Sequence, residues 1–258
     1  MPRTRLLALL LAASVALAAC ETVPITGRSQ INFVDPQTEA KLGAQAFAQV
    51  KAESAISRDP QANERVARIA KRIIGANALG GDWEFVVINE NQQNAFALPG
   101  GHIAVYSGMM QLAQGDAELA TVLAHEIGHV IAHHAAERIS RSEMVEAGAG
   151  ALGAILGGVA PGSQQAIGAL LGAGAHYGIE LPFSREQEYE ADEIGLTLMA
   201  RAGYDPREAI QFWQRMQAQA SGAKTPEFLS THPITENRIA RLNELMPKAL
   251  EAYNAAHR

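Results

Sequence analysis

His125-Glu126-Ile127-Gly128-His129 sits inside a continuous stretch from Asp116 to Arg138, DAELATVLAHEIGHVIAHHAAER, on which the reading of this chain turns. Asp116 is a good N-cap with Glu118 in the first turn, which predicts one helix running from Asp116 past Arg138. Leu119, Val122, Leu123, Ile127, Val130 and Ile131 spread apolar surface around most of its circumference, so the helix is expected at the centre of the fold. Residues four apart on a helix differ by roughly 40° about its axis, so His125 and His129 can aim two imidazoles at one ion. Glu126, on the adjoining flank, can reach a water beside that ion without ligating it, the geometry of a general base. The plainer alternative is two core histidines beside an exposed glutamate.

A catalytic zinc site takes three protein ligands and keeps a position for water. Ala135 and Ala132 stand where a metzincin has its third histidine and its glycine, which directs the search to a carboxylate on a second helix. Ser184, with Gln187 three residues on, forms a capping box and starts such a helix, which should end near Gly203. It offers Glu186, Glu188, Glu190, Asp192 and Glu193. Glu188 and Asp192 share one face, and Glu190 points roughly opposite. The pair serves two roles: Glu188 as ligand, and Asp192 as acceptor of the other ring N–H of a ligand histidine, His125 by preference. Glu186 and Glu190 form the rival pair and read as a solvated acidic face.

Around this centre, Asp35-Pro36 and Asp59-Pro60 each place an N-cap before a first-turn proline and predict two N-terminal helices, the second to about Gly75. Glu84–Asn89 and His102–Tyr106 are β-branched and aromatic runs that read as strands of a small sheet. Asp205-Pro206 caps a further helix, and Pro233 to His257 reads as helical with a break at Pro247. The order, helices then a small sheet then mostly helices, gives an α+β fold with helix dominant. Residues 147–175, rich in glycine and alanine and broken at Pro161-Gly162, read as a flexible hairpin or surface loop. The functional alternative is a lid or membrane-touching flap, although neither apolar stretch is long enough to span a bilayer.

Arg3 and Arg5 precede a 14-residue apolar run, Leu6–Ala19, which is the layout of a secretory signal peptide and too short for a spanning helix. The run stops at Leu17-Ala18-Ala19-Cys20 and resembles a bacterial lipobox. That resemblance implies a signal peptide over 1–19, lipidation of Cys20 and a mature chain from residue 20. Cys20 is the only cysteine. Glu21 follows it in place of the aspartate that retains lipoproteins in the inner membrane, so the expected anchor is the periplasmic face of the outer membrane of a Gram-negative host. Residues 20–34 read as the lipidated N-terminus and an extended tether, with 35–258 as the domain. Removing Arg3 and Arg5 from the 21 basic residues leaves 19 against 27 acidic ones, a net charge of −8 that disfavours nucleic-acid binding.

HEIGH, preceded by NAFALPGG and followed by SREQEYEAD, resembles the peptidase family that includes the integral-membrane CAAX prenyl proteases, the mitochondrial overlapping-activity protease and bacterial periplasmic lipoprotein peptidases. The likeness runs from about Asp35 to Met246. It implies a gluzincin-like zincin domain, one Zn2+ held by His125, His129 and Glu188, Glu126 as general base and Asp192 behind the ligands. It implies further that the strand near Asn94 and Ala97 pairs with an extended substrate. Thr231-His232-Pro233 with Arg238 is similar to the family's C-terminal motif, in which the histidine approaches the metal and the arginine lies nearby. His232 is then expected either to cover the ion at rest or to stabilise the oxyanion, and Arg238 to contribute to substrate binding. His102, His133, His134, His176 and His257 read as packing, solvated helix surface or tail. The function expected is metalloendopeptidase action on polypeptides, unfolded or misassembled envelope proteins above all. The alternative is a lipoprotein chaperone or assembly factor with a closed or vestigial site.

Overall fold

The computed structural model of the protein describes residues 20–148, 183–220 and 226–258. Its elements are β1 (Cys20–Thr22), β2 (Ser29–Ile31), α1 (Pro36–Glu53), α2 (Pro60–Ala76), β3 (Glu84–Ile88), β4 (Ala95–Leu98), β5 (His102–Tyr106), α3 (Ser107–Leu112), α4 (Asp116–Ile131), α5 (His134–Gly148), α6 (Arg185–Arg201), α7 (Arg207–Ala220), α8 (Phe228–Thr231) and α9 (Glu236–Ala255). It is the helix-dominated α+β architecture anticipated above.

The three-stranded sheet has the order β3-β5-β4, with β3 parallel and β4 antiparallel to β5. Strand alternation sends side chains to opposite faces. Val87, Ala95, Ile103 and Val105 therefore join α2 and α4 in one core, while Val86, Ile88, Phe96, Leu98 and Ala104 join Leu42, Phe47 and Val50 of α1 in another. Gly100 and Gly101 make the β4–β5 turn with φ of +82° and +88°, a conformation that side chains rarely adopt. The turn sets β4 as an edge strand lying along α4.

Both Asp-Pro caps form as expected, with Asp35 accepting from Gln37 and Thr38 N–H and Asp59 from Gln61 N–H. The capping box of Ser184 and Gln187 is also present, and Gly203 closes that region with φ +73°. Four expectations change. Gly115, not Asp116, is the N-cap of α4, and Asp116 instead meets Arg65 and Arg68 at 2.9 and 2.8 Å. The helix does not run past Arg138 unbroken: it stops at Ala132, His133 takes a left-handed φ of +53°, and α5 begins at His134. Pro247 does not break the last helix: α9 runs through it from Glu236 to Ala255. Residues 20–31 are not an extended tether, because β1 and β2 pair antiparallel with Val23 buried between them and the core. The Gly/Ala-rich stretch 147–175 lies outside the described residues except for the end of α5. No described helix is long and apolar enough to cross a membrane.

Candidate metal centre

The site forms where α4 meets α6, at two glycines. A Cβ on Gly128 would lie 3.0 Å from the Ala191 carbonyl oxygen, and one on Gly195 would lie 2.9 Å from His125 N. The glycine inside the HEIGH segment thus lets the second helix approach closely enough for its carboxylates to reach the histidines.

His125 Nε2 and His129 Nε2 are 3.1 Å apart. Glu188 reaches both, with Oε2 3.5 Å from His125 Nε2 and Oε1 3.4 Å from His129 Nε2. His232, just past α8, places Nδ1 3.3 Å from His125 Nε2 and 3.0 Å from Glu188 Oε1. One ligand atom from each of these four residues falls within 4.8 Å of every other, and all four side chains are buried. Three imidazole nitrogens and one carboxylate oxygen are a donor set that suits zinc in tetrahedral geometry. Glu126 Oε1 and His232 Nε2 are buried with no hydrogen-bond partner, 3.6 Å from each other. Unsatisfied polar atoms concentrated beside these ligand atoms fit a site built around a cation and a water.

The electrostatics separate the carboxyls by role. Burial raises the Glu126 carboxyl above its ordinary range, opposed by His232 and His125. Burial acts the same way on Glu188, but His232 and Arg238 outweigh it and hold that carboxyl well below the ordinary range. Two neighbouring glutamates pushed in opposite directions are the pattern of one proton acceptor and one permanent anion. Burial, with His125 and His134 adding to it, keeps the His129 imidazole well below its usual value.

Behind His125, Nδ1 lies 3.1 Å from Asp192 Oδ1, as the spacing of Glu188 and Asp192 anticipated. Arg238 grips Asp192 through Nε and Nη2, both at 2.7 Å, and reaches Glu188 Oε2 at 2.6 Å through Nη1. Arg238 is 2% exposed and its guanidinium faces inward, so its expected place in substrate binding is replaced by that of a brace for the carboxylates. Asn94 is likewise buried: its Oδ1 accepts from Ala95 N–H and its carbonyl from Tyr106 N–H. Ala97 is partly exposed on the edge strand.

Glu186 is exposed, but Glu190 is not part of a solvated face. It is 5% exposed and accepts from His134 Nε2 at 3.0 Å and from Arg28 Nε at 2.7 Å. His134, read as packing or helix surface, is fully buried with Nδ1 2.8 Å from His129 Nδ1. On a straight helix a residue five past His129 points elsewhere. The left-handed turn at His133 brings it back. His102 stacks on Phe47, His133 meets Glu39 at 2.7 Å and His257 is exposed at the tail. His176 lies outside the described residues.

A buried HExxH helix with a glutamate from a second helix defines the class: an HExxH-plus-Glu metallopeptidase. The model of peptidase family M48 matches residues 57–246, and the chain belongs to that family of zinc metallopeptidases. The mitochondrial metalloendopeptidase OMA1 of Schizosaccharomyces pombe is 36% identical over 89% of this chain and 67% of its own length. The beta-barrel assembly-enhancing protease of Escherichia coli is 31% identical over 91% of this chain. A putative protein of the same description from Vibrio cholerae is 37% identical over 72%. The chain spans 50% and 39% of the length of these two bacterial relatives.

Proposed function

We propose that this metallopeptidase cleaves polypeptides at a zinc site formed by His125, His129 and Glu188, with Glu126 as general base, in the bacterial envelope. The observation that carries the proposal is the convergence of four buried ligand atoms within 4.8 Å, beside a glutamate whose carboxyl is raised by burial. Zinc in such a site polarises a scissile carbonyl and lowers the pKa of a coordinated water toward ~7. Glu126 takes the proton of the attacking water and returns it to the leaving amine. Ala97, on the edge strand against Glu126, offers backbone to an extended substrate, which would add as a further strand.

His232 Nδ1 stands among the ligand atoms, so we assign it the closing role, a fourth ligand that fills the position water needs. Stacking on Phe228, with ring centroids 4.2 Å apart, holds it there. His232→Ala should then raise casein cleavage while zinc stays bound; a loss of cleavage would favour oxyanion stabilisation instead.

The lipobox-like Leu17-Ala18-Ala19-Cys20 favours a lipid anchor in the outer membrane, periplasmic face, over a mitochondrial setting. The beta-barrel assembly-enhancing proteases among the relatives favour unfolded or misassembled envelope proteins as substrates. Labelling cells with a radioactive fatty acid tests the anchor: label on the wild-type chain and none on Cys20→Ser supports it, and an unlabelled membrane-free wild type removes it.

A further inference from the structure

Both histidines of the HEIGH segment present Nε2 to the cluster, so in the neutral ligating form each carries its proton on Nδ1 and needs an acceptor behind it. For His125 that acceptor is Asp192, gripped by Arg238. For His129 it is a second imidazole. His134 Nδ1 lies 2.8 Å from His129 Nδ1, and His134 Nε2 lies 3.0 Å from Glu190 Oε2. One tautomer satisfies the whole chain of contacts: His129 Nδ1–H donates to His134 Nδ1, and His134 Nε2–H donates to the Glu190 carboxylate.

Glu190 is fixed from outside the helical core. Arg28 Nε donates to its Oε2 at 2.7 Å, and the Thr26 hydroxyl donates to its Oε1. The same guanidinium grips Glu137 of α5 through Nη1 and Nη2 at 2.9 and 3.0 Å. Glu137 also accepts from Gln187 of α6 at 2.7 Å. Thr26 and Arg28 lie in the turn between β1 and β2. A charge relay therefore runs from the N-terminal hairpin, six to eight residues after Cys20, to the second metal-ligating histidine.

We propose that His134 and Glu190 are positioning residues for His129, and that Arg28 of the N-terminal hairpin keys them, making the hairpin part of the metal site. This rests on His129 being a ligand. Outer partners of ligating histidines commonly change metal affinity by about 10–100-fold. The test measures zinc affinity by competition with a chelating dye on the chain from residue 20, with melting of each metal-free variant as the control for folding. His134→Phe fills the volume but offers no acceptor, and should weaken zinc binding by about 10–100-fold. His134→Asn, whose Oδ1 can stand near the place of Nδ1, should recover most of that loss. Arg28→Ala, at a partly exposed position that can be changed without emptying the core, should weaken zinc severalfold, and this loss should vanish in the His134→Phe background. Equal weakening in His134→Phe and His134→Asn, or additive losses with Arg28→Ala, would mark a merely structural role and overturn the proposal. If His134→Phe does not fold, an Arg28→Ala chain with unchanged zinc affinity overturns it alone. A His129→Ala chain that binds zinc as tightly as the wild type removes the underlying ligand assignment as well, and so separates the two failures.

Discussion

Glu126 and Glu188 are both buried glutamates within reach of the same histidines, and they differ in what else touches them. His232 and Arg238 outweigh burial and keep Glu188 anionic, whereas burial raises the Glu126 carboxyl, so Glu126 is the one placed to take a proton. Glu126→Gln should keep zinc and lose about 10²–10⁴-fold in turnover, as removal of a general base does. His125→Ala should lose the metal itself, which metal analysis after dialysis checks. These residues were legible from the sequence because each answers to helical spacing: His125 and His129 at four apart, Glu188 and Asp192 at four apart. Glu190 and His134 were not. Glu190 is buried because a hairpin distant in sequence covers its face, and His134 is aimed by a single left-handed residue, His133. Neither cause leaves a periodic trace.

At the scale of elements, the site depends on how closely α4 and α6 approach. Gly195→Ala would press a methyl against His125 N and the Ala124 backbone, where 2.9–3.1 Å is available. Overpacking of this kind costs about 1–3 kcal/mol, offset in part by the better helix propensity of alanine, about 1 kcal/mol. We expect a lower melting temperature together with weaker zinc binding, because the shift opens the distance between His125 and Glu188. Unchanged melting and affinity would mean that the helices part without cost. Helix starts marked by Asp-Pro and by the Ser184 capping box were readable because a cap is a local device. The end of α4 at Ala132 was not, since the run to Arg138 keeps good helix formers, and tertiary contacts of His133 with Glu39 accompany the break. The hairpin β1–β2 was unreadable for a related reason: its strands are three residues each and owe their place to Arg28 and Val23 packing on the domain.

For the whole molecule, the N-terminal hairpin is tied to α5 and α6 by ion pairs, and this sets an acid limit on stability. Burial raises the Glu137 and Glu190 carboxyls, but Arg28 and Gln187 at Glu137, and His134, Thr26 and Arg28 at Glu190, outweigh it and hold both below their ordinary value. A carboxyl depressed in the folded state contributes stability above its unfolded value, near 4.5, and that contribution is lost as pH falls through the folded value. Arg28→Ala should therefore be less stable by roughly 2 kcal/mol at pH 7, discounted for the partial exposure of Arg28. The gap in melting temperature from wild type should narrow as the pH is lowered from about 5 to 3. A gap that stays constant with pH would assign the effect to packing of the hairpin.

The most direct test of the central claim is zinc content and casein cleavage measured side by side on the chain from residue 20 and its Glu126→Gln variant. The site predicts one zinc per chain in both, with cleavage in the wild type that is limited by His232 and that the variant loses. An active, zinc-loaded Glu126→Gln chain, or a wild-type chain that cleaves casein with no metal bound, would contradict it.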